Sequence, residues 1–475
     1  MTSVFDPLHM QAATLDVMAA THATPSLLAQ RQQQRLARLL DAARHGSAFY
    51  RDRLAPAAGR GHHLAHVPHV TRAELMDRFD DWVTDPALRL GELRAFTADD
   101  TRVGEAWLGR YVVWESSGTS SQPGVFVQDA PAMAVYDALE AVRHRVTGRG
   151  NGGAGARLFG PFSALEAMVG ASDRTAMVTA TGGHFASVVS FERLRRINPW
   201  LAQTARSFSL LQSTETLVAA LNDFQPTVLA TYPTAAALLA DEAAAGRLRV
   251  RPRCVLTGGE ALGSAAREHV RQSFGNATVR SSYGASEFLP IAWECAHGHL
   301  HVNEDWLILE PVDEHYRPVP RGQPSHSVLL TNLANLVQPL IRYDLGDQVT
   351  LHSQRCRCGS PLPTLDVGGR RDDVLRVPSL RRKGETVSLL PMALCTVVEE
   401  ECGLFDFQLQ QRDTHTLVLR VPHEGEEAHA VIDRCRDALQ HFATAQGAEP
   451  IHVLGEVGVT VPRGRSGKAC RMLMT

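Results

Sequence analysis

The sequence predicts an α/β protein in which a large N-terminal domain, built from mixed sheets covered by helices, precedes a small α+β C-terminal domain. Three observations support this prediction. The chain has 475 residues, which is too long for one ordinary core. Short apolar runs alternate with amphipathic stretches between residues 111 and 365, and the sequence changes character near residue 368. We therefore expect the large domain at residues 1–368 and the small domain at 369–475.

The large domain is expected to begin with a helical layer at about residues 25–60. Apolar side chains recur there at helical spacing, namely Leu27, Leu28, Leu36, Leu39, Leu40 and Ala43. The strand-like runs that follow are residues 111–114, 227–230, 254–257 and 328–331, and the helical stretches between them include 131–145, 234–245 and 264–274. This alternation predicts a largely parallel or mixed sheet covered by helices.

The small domain has its own pattern of elements. Residues 394–401 and 429–443 are predicted helices, and residues 405–410 and 417–421 are predicted strands. A unit of about one hundred residues with this mixture is large enough to fold as a separate α+β domain.

Composition excludes several classes of function and predicts a location. The chain has 51 acidic and 48 basic residues and a formal net charge of −3, so nothing in its overall charge favours nucleic acid or an anionic membrane as a partner. No apolar run reaches transmembrane length. The first basic residue is Arg31, so a secretory leader is not expected, and the eight cysteines are interpreted as reduced thiols of a cytoplasmic protein.

Lysine is nearly absent, because Lys383 and Lys468 are the only two among the 48 basic residues. An ammonium is a compact, flexible point charge, whereas a guanidinium is a planar fork, so a site that bridges two oxyanions does not readily exchange one for the other. Lys468 is therefore a candidate catalytic residue, with a solvated tail lysine as the alternative. Lys383 is interpreted as a solvated loop residue.

A hydroxyl- and glycine-rich loop directly follows the predicted strand at 111–114. It contains Ser116, Ser117, Gly118, Thr119 and Ser120. Backbone N–H groups and hydroxyls in such a loop can surround phosphate oxygens. The loop is not a Walker loop, because no Gly-Lys-[Ser/Thr] follows it. An ordinary Ser/Gly turn is the alternative interpretation.

Three further segments follow in order along the chain. The first is a glycine turn after a predicted strand, the second combines an aromatic face, a glycine and a carboxylate, and the third supplies acidic groups suited to vicinal hydroxyls. Their residues are Gly258, Gly259 and Glu260, then Tyr283, Gly284 and Glu287, then Asp347. Each segment alone is also compatible with a turn, a core tyrosine or a solvated acidic loop, so the prediction depends on their joint occurrence.

Together these motifs resemble the ANL superfamily of adenylate-forming enzymes, and most closely its phenylacetate-CoA ligase family. The resemblance extends from residues 49–51 to Lys468. It implies that Ser116, Ser117, Gly118, Thr119 and Ser120 bind phosphate, that Gly258, Gly259, Glu260, Tyr283 and Gly284 form the adenine pocket, and that Asp347 and Arg370 contact the nucleotide, Asp347 through the ribose hydroxyls. It also implies that Glu287 binds the Mg²⁺ of ATP, that Asp372 is the hinge before a mobile small domain, and that Lys468 is catalytic.

The phosphate loop departs from the family pattern at two positions. The family's loop usually ends Thr-Gly-x-Pro-Lys, whereas residues 120–124 here are Ser-Ser-Gln-Pro-Gly. Ser121 thus replaces a glycine, and Gly124 replaces a lysine.

The resemblance implies an enzyme that activates a carboxylic acid with ATP and Mg²⁺ and transfers the acyl group from an acyl-adenylate to coenzyme A. The acid pocket is expected at His184, Phe185, Tyr232 and Phe288, which favours an aromatic or similarly compact acid, with packed core side chains as the alternative. Two other functions stay open. One is adenylation with an amine, a carrier-protein thiol or an inorganic nucleophile such as nitrite as acceptor, and the other is non-catalytic nucleotide binding. The family also suggests a homodimer.

Four side chains in the last part of the large domain have the composition of a zinc site. Cys295 begins a stretch that contains His297 and His301, and Cys356 and Cys358 follow later in the chain. Three thiolates and one imidazole make a closed tetrahedral Zn²⁺ site, which is structural because no coordination position is left for a substrate. We predict Cys295, His301, Cys356 and Cys358 as ligands, with His297 as the rival fourth ligand and unliganded thiols as the alternative.

Overall fold

The computed structural model describes residues 4–54, 64–116, 123–143, 173–179, 181, 183–210, 212–370, 375–380, 384, 386–389, 391–462 and 471–474. Several residues singled out in the sequence lie outside these ranges: Ser117, Gly118, Thr119, Ser120, Ser121, Asp372, Lys383 and Lys468. Their roles stay predictions.

The N-terminal helical layer consists of α1 (Pro7–Thr21), α2 (Pro25–Gly46) and α3 (Ala48–Leu54). Helix α2 begins where its sequence signals a start, because the Thr24 side chain accepts the Leu27 N–H and a proline occupies the first helical position. Helix α1 precedes the predicted layer. Its apolar residues surround the helix and give no amphipathic period from which it could have been predicted.

Helices and strands alternate through the rest of the chain. The helices are α4 (Arg72–Asp77), α5 (Phe79–Trp82), α6 (Leu90–Thr97), α7 (Ala130–Arg143), α8 (Ala186–Ile197), α9 (Pro199–Thr204), α10 (Thr214–Phe224), α11 (Pro233–Ala244), α12 (Ser264–Ser273), α13 (Pro391–Cys402) and α14 (Glu426–Ala445). The strands are β1 (Val112–Glu115), β2 (Val125–Gln128), β3 (Thr175–Thr179), β4 (Ala205–Ser209), β5 (Val228–Thr231), β6 (Cys254–Gly258), β7 (Thr278–Ala285), β8 (Phe288–Glu294), β9 (Leu300–Val302), β10 (Leu307–Val312), β11 (Ser327–Asn332), β12 (Tyr343–Asp344), β13 (Asp347–Leu351), β14 (Thr364–Arg370), β15 (Leu375–Pro378), β16 (Thr386–Leu389), β17 (Gln408–Gln411), β18 (Thr416–Val421), β19 (His452–Val457) and β20 (Met472–Met474).

In the described part of the chain, the largest sheet has nine strands in the order β13-β14-β9-β8-β7-β6-β5-β3-β4. Strands β3 to β7 pair in parallel, and the strands beyond β7 pair antiparallel, as expected for a mixed sheet. The carboxyl ends of parallel strands meet at one edge, which is where α/β sheets bind ligands. The glycine turn after β6 therefore lies beside the Tyr283 segment of β7, with Gly258 paired to Ser282.

Two smaller sheets lie in the large domain. Strands β1 and β2 pair antiparallel, with Glu115 opposite Val125, and so flank the predicted phosphate loop. Strands β10, β11 and β12 form a second antiparallel sheet, in which Tyr343 pairs with Leu330. This sheet brings the motif that ends at Asp347 close to the edge of the large sheet.

The C-terminal part forms an α+β unit with its own apolar core, as predicted. Its sheet has the order β19-β18-β17-β20, and the β15–β16 hairpin accompanies it. Helices α13 and α14 occupy residues 391–402 and 426–445 and extend beyond their predicted bounds. The domain boundary at residue 368 and the mobility of this unit stay predictions. None of the described helices has both the length and the apolarity needed to cross a membrane.

A buried ion pair joins the end of α7 to the turn before β10. The Arg143 guanidinium donates to both carboxylate oxygens of Asp305 over 2.7 and 2.8 Å, and both side chains are almost fully buried. Arg143 also donates to Asn303 Oδ1 over 2.5 Å. Because each charge is desolvated, either one is costly without the other.

We expect Asp305→Ala to lower the free energy of unfolding by about 3–5 kcal/mol, because the Arg143 charge would remain buried without a partner. Chemical denaturation of the purified protein measures this change. The control is Asp81→Ala, which removes an exposed ion pair with Arg78 and should cost less than about 1 kcal/mol. Equal losses in the two variants would show that the buried pair does not support the fold.

Candidate functional site

A hydrogen bond joins two of the motifs that predict the nucleotide site. Tyr283 lies in β7 and Asp347 begins β13, and the Tyr283 hydroxyl donates to Asp347 Oδ2 over 2.6 Å. Burial, followed by the neighbouring Asp347 carboxylate, raises the pKa of Tyr283 well above its usual value, so the phenol stays protonated as the donor. Arg370 Nε lies 4.0 Å from Asp347 Oδ1. Three residues predicted to contact the nucleotide therefore lie together.

Tyr283 is positioned by an irregularity in its strand. The pairing of β7 with β8 shifts register between Tyr283 and Ala285. A methyl group on the Gly284 Cα would lie 1.9 Å from the Leu289 carbonyl oxygen, a distance that no side chain tolerates. Position 284 therefore requires glycine for steric reasons. This requirement explains why a glycine directly follows Tyr283 in the sequence.

The glycine turn after β6 lies at the same edge of the sheet. Gly259 adopts a φ of +80°, a conformation that favours glycine. Glu260 accepts hydrogen bonds from the Thr234 amide and hydroxyl over 3.1 and 3.2 Å. This carboxylate therefore ties the turn to the first residues of α11. The predicted contact of Gly258, Gly259 and Glu260 with adenine stays a prediction.

Glu287 follows β7 and is only 8% exposed. The Tyr343 hydroxyl of β12 donates a hydrogen bond to its carboxylate. Burial raises the pKa of Glu287, whereas the Tyr343 hydrogen bond and the charges of Arg370 and Arg72 lower it. Among the described residues, no basic side chain forms an ion pair with this carboxylate. Its oxygens are therefore suited to accept a bound cation.

Two hydrogen bonds close the base of the predicted phosphate loop. The Ser116 N–H donates to the Gly124 carbonyl oxygen, and the Gly124 N–H donates to Ser116 Oγ, both over 2.8 Å. Trp114 Nε1 donates to the Ser286 carbonyl oxygen over 2.8 Å. The strand that leads into the loop is thus attached next to Glu287, which brings the loop base and the buried carboxylate into one site.

His184 and Phe185 lie beside the end of β1. The His184 carbonyl oxygen accepts the Glu115 N–H over 2.7 Å, so both residues adjoin the loop base. His184 Nε2 lies 3.0 Å from the Asp99 carbonyl oxygen, which only accepts, so Nε2 is the protonated nitrogen. Nδ1 is buried and has no hydrogen-bond partner among the described residues. This ring therefore offers an unpaired acceptor to the interior.

Tyr232 and Phe288, the other residues predicted for the acid pocket, are also buried. The Tyr232 hydroxyl and Thr179 Oγ1 share a hydrogen bond of 2.8 Å. The Phe288 ring packs edge-on against Tyr136, with ring centroids 4.9 Å apart, inside the main hydrophobic core. The predicted contact of these four residues with an acid stays a prediction.

The four residues predicted as zinc ligands lie together. The ligand atoms of Cys295, His301, Cys356 and Cys358 are all within 4.8 Å of one another. Cys295 Sγ lies 3.7 Å from Cys356 Sγ, and Cys358 Sγ lies 3.2 Å from His301 Nε2. The cluster found among the described residues does not include the side chain of His297, whose backbone N–H donates to Cys295 Sγ over 3.4 Å. The geometry therefore favours His301 over its rival.

The His301 ring is oriented to present Nε2 to the three thiols. Its Nδ1 lies 2.9 Å from the Leu362 carbonyl oxygen and must donate, because a carbonyl only accepts. The ring is fully buried and stacks on Trp293 with centroids 5.1 Å apart. These contacts fix the tautomer whose Nε2 lone pair faces the cysteines, as in metal-binding histidines.

Two residues of this site, Tyr343 and Arg72, were not predicted from the sequence. Tyr343 lies inside the motif that ends at Asp347, and its place in that motif was a usable signal. Arg72 lies in α4, far along the chain from every motif, and no sequence pattern distinguishes it from the other arginines. Only the folded chain brings it near Glu287.

Comparison with known proteins agrees with this geometry. Residues 200–324 match the family model of the AMP-binding enzyme. Phenylacetate-coenzyme A ligase of Thermus thermophilus is 29% identical over 198 residues, which cover 39% of this chain and 43% of that protein. The chain thus matches less than half the length of this curated relative.

Solved structures share the fold over much or most of the chain. A 2-hydroxyisobutyryl-CoA ligase in the postadenylation state matches with a TM-score of 0.67 and 18% identity, covering 96% of this chain and 91% of that one. The anthranilate CoA ligase AuaEII matches with a TM-score of 0.53 and 17% identity, covering 76% and 64%. The fold is therefore that of the adenylate-forming enzymes, as predicted. The predicted resemblance to the phenylacetate-CoA ligase family is confirmed as well.

We expect Gly284→Ala to lower the midpoint of thermal unfolding, because the added methyl group would force the β7–β8 turn open at a cost of about 1–3 kcal/mol or more. Calorimetry measures the shift. Gly91→Ala in α6 is the matched control, since apart from the adjoining helix backbone no atom of the described residues lies within 4 Å of its new methyl group. This control should leave the midpoint unchanged or slightly raised, and a neutral Gly284→Ala variant would contradict the close approach.

Proposed function

We propose that this chain is an AMP-forming acid-CoA ligase, which activates a carboxylic acid as an acyl-adenylate with ATP and then transfers the acyl group to coenzyme A. The observation that carries the proposal is the grouping of Tyr283, Asp347 and Glu287 beside the base of the Ser116 loop. Binding of Mg²⁺-ATP requires an aromatic face for adenine, a carboxylate for the ribose diol, a carboxylate for the cation and a loop for the phosphates. The adenylate-forming fold supports the same assignment.

Nucleotide binding would depend on the Tyr283–Asp347 pair. Tyr283 holds Oδ2 of the Asp347 carboxylate, which fixes the orientation in which the carboxylate meets the ribose hydroxyls. The Tyr283 ring and the turn from Gly258 to Glu260 would enclose the adenine. Arg370, next to Asp347, offsets the negative charge of that carboxylate. Binding energy from the nucleoside would thereby position the phosphates.

In the first half-reaction, an oxygen of the substrate carboxylate attacks the α-phosphorus of ATP. A new P–O bond forms, the bond between the α-phosphorus and its bridging oxygen breaks, and pyrophosphate leaves. Glu287 would hold Mg²⁺, whose positive charge offsets repulsion between the anions. The Lys468 ammonium would stabilise the charge that develops on the oxygens around phosphorus. Tyr343 donates to Glu287 and keeps its carboxylate in place.

In the second half-reaction, the thiolate sulfur of coenzyme A attacks the acyl carbon. The C–S bond forms, the bond from that carbon to the phosphate oxygen breaks, and AMP leaves, while the thiol proton passes to solvent. The α+β unit would turn about Asp372 between the two steps. That movement would withdraw Lys468 and admit the thiol, as implied by the resemblance to the family.

The acid is proposed to be aromatic or similarly compact. The curated relative is named for phenylacetate, and the unpaired Nδ1 of His184 offers an acceptor to a polar substituent. The solved relatives named for 2-hydroxyisobutyrate and anthranilate define two further test acids. An amine, a carrier-protein thiol or an inorganic nucleophile such as nitrite stays the alternative acceptor. A cytoplasmic location and a homodimer also stay proposals.

We expect Lys468→Ala to lower acid-dependent pyrophosphate release by about 100-fold or more, because the developing charge loses its counter-ion. Lys383→Ala is the matched control, since it removes the other lysine and should leave the rate nearly unchanged. Lys468→Arg should also be poor, because a planar fork does not reproduce the point charge. Pyrophosphate release is measured with phenylacetate, anthranilate and 2-hydroxyisobutyrate as acids. Undiminished release by Lys468→Ala would refute the assignment.

Adding coenzyme A to the wild-type reaction separates the proposed function from its alternatives. Thioester detected by mass spectrometry supports the ligase. Pyrophosphate release without thioester favours another acceptor, and ATP binding without pyrophosphate release for any acid favours a non-catalytic protein.

We also propose that Cys295, His301, Cys356 and Cys358 hold a structural Zn²⁺. A tetrahedral ion with Zn–S bonds of about 2.3 Å separates its sulfur atoms by about 3.8 Å, and the Cys295–Cys356 distance of 3.7 Å fits this value. The fixed tautomer of His301 supplies a neutral nitrogen ligand. Such an ion would tie the β8–β9 turn to the segment between β13 and β14.

We expect elemental analysis to find about one zinc ion per chain. Cys356→Ala should lose the metal and lower the midpoint of thermal unfolding, because metal binding contributes folding energy. Cys254→Ala, which changes a buried thiol in β6 away from the cluster, should retain zinc. Purified wild-type protein without zinc would contradict the proposal.

A further inference from the structure

Arg72 lies against the base of the phosphate loop. It is the first residue of α4, after Thr71, whose side chain caps the helix. A methyl group on the Gly124 Cα would lie 3.2 Å from Arg72 Cδ and 3.0 Å from the Phe126 ring. The absence of a side chain at position 124 therefore leaves the space that the Arg72 side chain occupies.

The charge of Arg72 acts on Glu287 and its hydrogen-bond donor and is not among the charges that act on Tyr283. It acts on the Glu287 carboxyl and on the Tyr343 hydroxyl. Arg370 acts on these two groups and also on Tyr283, and it lies beside Asp347. The charges of two guanidinium groups thus act on the Glu287 carboxyl. One is Arg370, which lies beside Asp347, and the other is Arg72, which lies beside Gly124.

Among the described residues Arg72 has no partner, unlike the arginines around it. Arg53 contacts the Glu74 carboxylate, and Arg78 donates to Asp81 over 3.0 Å. For Arg72, the described residues provide no hydrogen bond, ion pair or ring contact. It is half-buried rather than fully solvated. A partly buried guanidinium that forms no ion pair with a described carboxylate is suited to bind an anion from solution.

We propose that Arg72 binds the phosphate chain of ATP on the side that leaves as pyrophosphate. The inference rests on the proposed function, because it takes Glu287 as the Mg²⁺ ligand and Asp347 as the ribose contact. A guanidinium offers two parallel N–H donors to phosphate oxygens. From the Gly124 side it would neutralise charge on the leaving group, whereas AMP, which lacks the β- and γ-phosphates, would not reach it.

The test compares ATP and AMP binding by isothermal titration calorimetry with Mg²⁺ present. We expect Arg72→Ala to weaken ATP binding about tenfold or more, as for loss of a hydrogen bond to a charged group, and to change AMP binding less than twofold. Arg78→Ala, a neighbouring arginine with its own partner, should change neither. The melting temperature of each variant identifies any loss of fold.

The second variant removes the Arg72 charge and places a positive charge at the base of the loop instead. Arg72→Ala combined with Gly124→Lys places an ammonium at the same base, in the space that Arg72 vacates, and should recover most of the lost ATP affinity. If the wild type binds neither nucleotide, the proposed function fails. If it binds both but Arg72→Ala weakens them equally or not at all, only the role of Arg72 is overturned.

Discussion

The hydrogen bond from Tyr283 to Asp347 joins the parallel and antiparallel parts of the large sheet. Tyr283 comes from the last parallel strand, and Asp347 comes from the far strand of the antiparallel part. Their contact depends on the pairing of the intervening strands β8, β9 and β14. Because the bond is partly buried, loss of either partner would leave a poorly solvated polar group at a cost of about 1 kcal/mol. Arg370 lies beside this pair, which is the proposed contact for the nucleoside.

The charges around Glu287 suit the anionic, metal-bound ligand that we propose for this site. The carboxylate is buried and receives hydrogen bonds from Tyr343 and from its own backbone N–H. The charges of two arginines act on it, but neither pairs with it. Within the protein, the Glu287 carboxylate and the two arginine charges are not paired with one another. Bound Mg²⁺-ATP would supply a cation for the carboxylate and phosphate oxygens for the arginines. The replacement of the family's lysine by Gly124 fits the same arrangement, since Arg72 occupies the space beside it.

Much of the fold and part of the site followed from local patterns. The strands at β5, β6 and β11 were predictable because short apolar runs end in turn residues. The Cys/His cluster was predictable because Cys356 and Cys358 are closely spaced and Cys295 begins a His-rich stretch. Helix α1 was not predictable, because its apolar residues show no period. The contribution of Arg72 depends on a contact between segments distant in sequence, and the steric need for Gly284 depends on a bulge. Neither the contribution of Arg72 nor the steric need for Gly284 can be predicted from a local sequence pattern.

Transfer of isotope from the acid to AMP tests the central claim, formation of an acyl-adenylate, most directly. The acid that gives the fastest pyrophosphate release is labelled with ¹⁸O in its carboxylate, and the products are analysed by mass spectrometry after turnover with ATP and coenzyme A. Attack on the α-phosphorus followed by attack of sulfur on the acyl carbon leaves one carboxylate oxygen on AMP, so the account predicts AMP that carries one ¹⁸O atom. Unlabelled AMP, or label found in orthophosphate with ADP as the product, would contradict it.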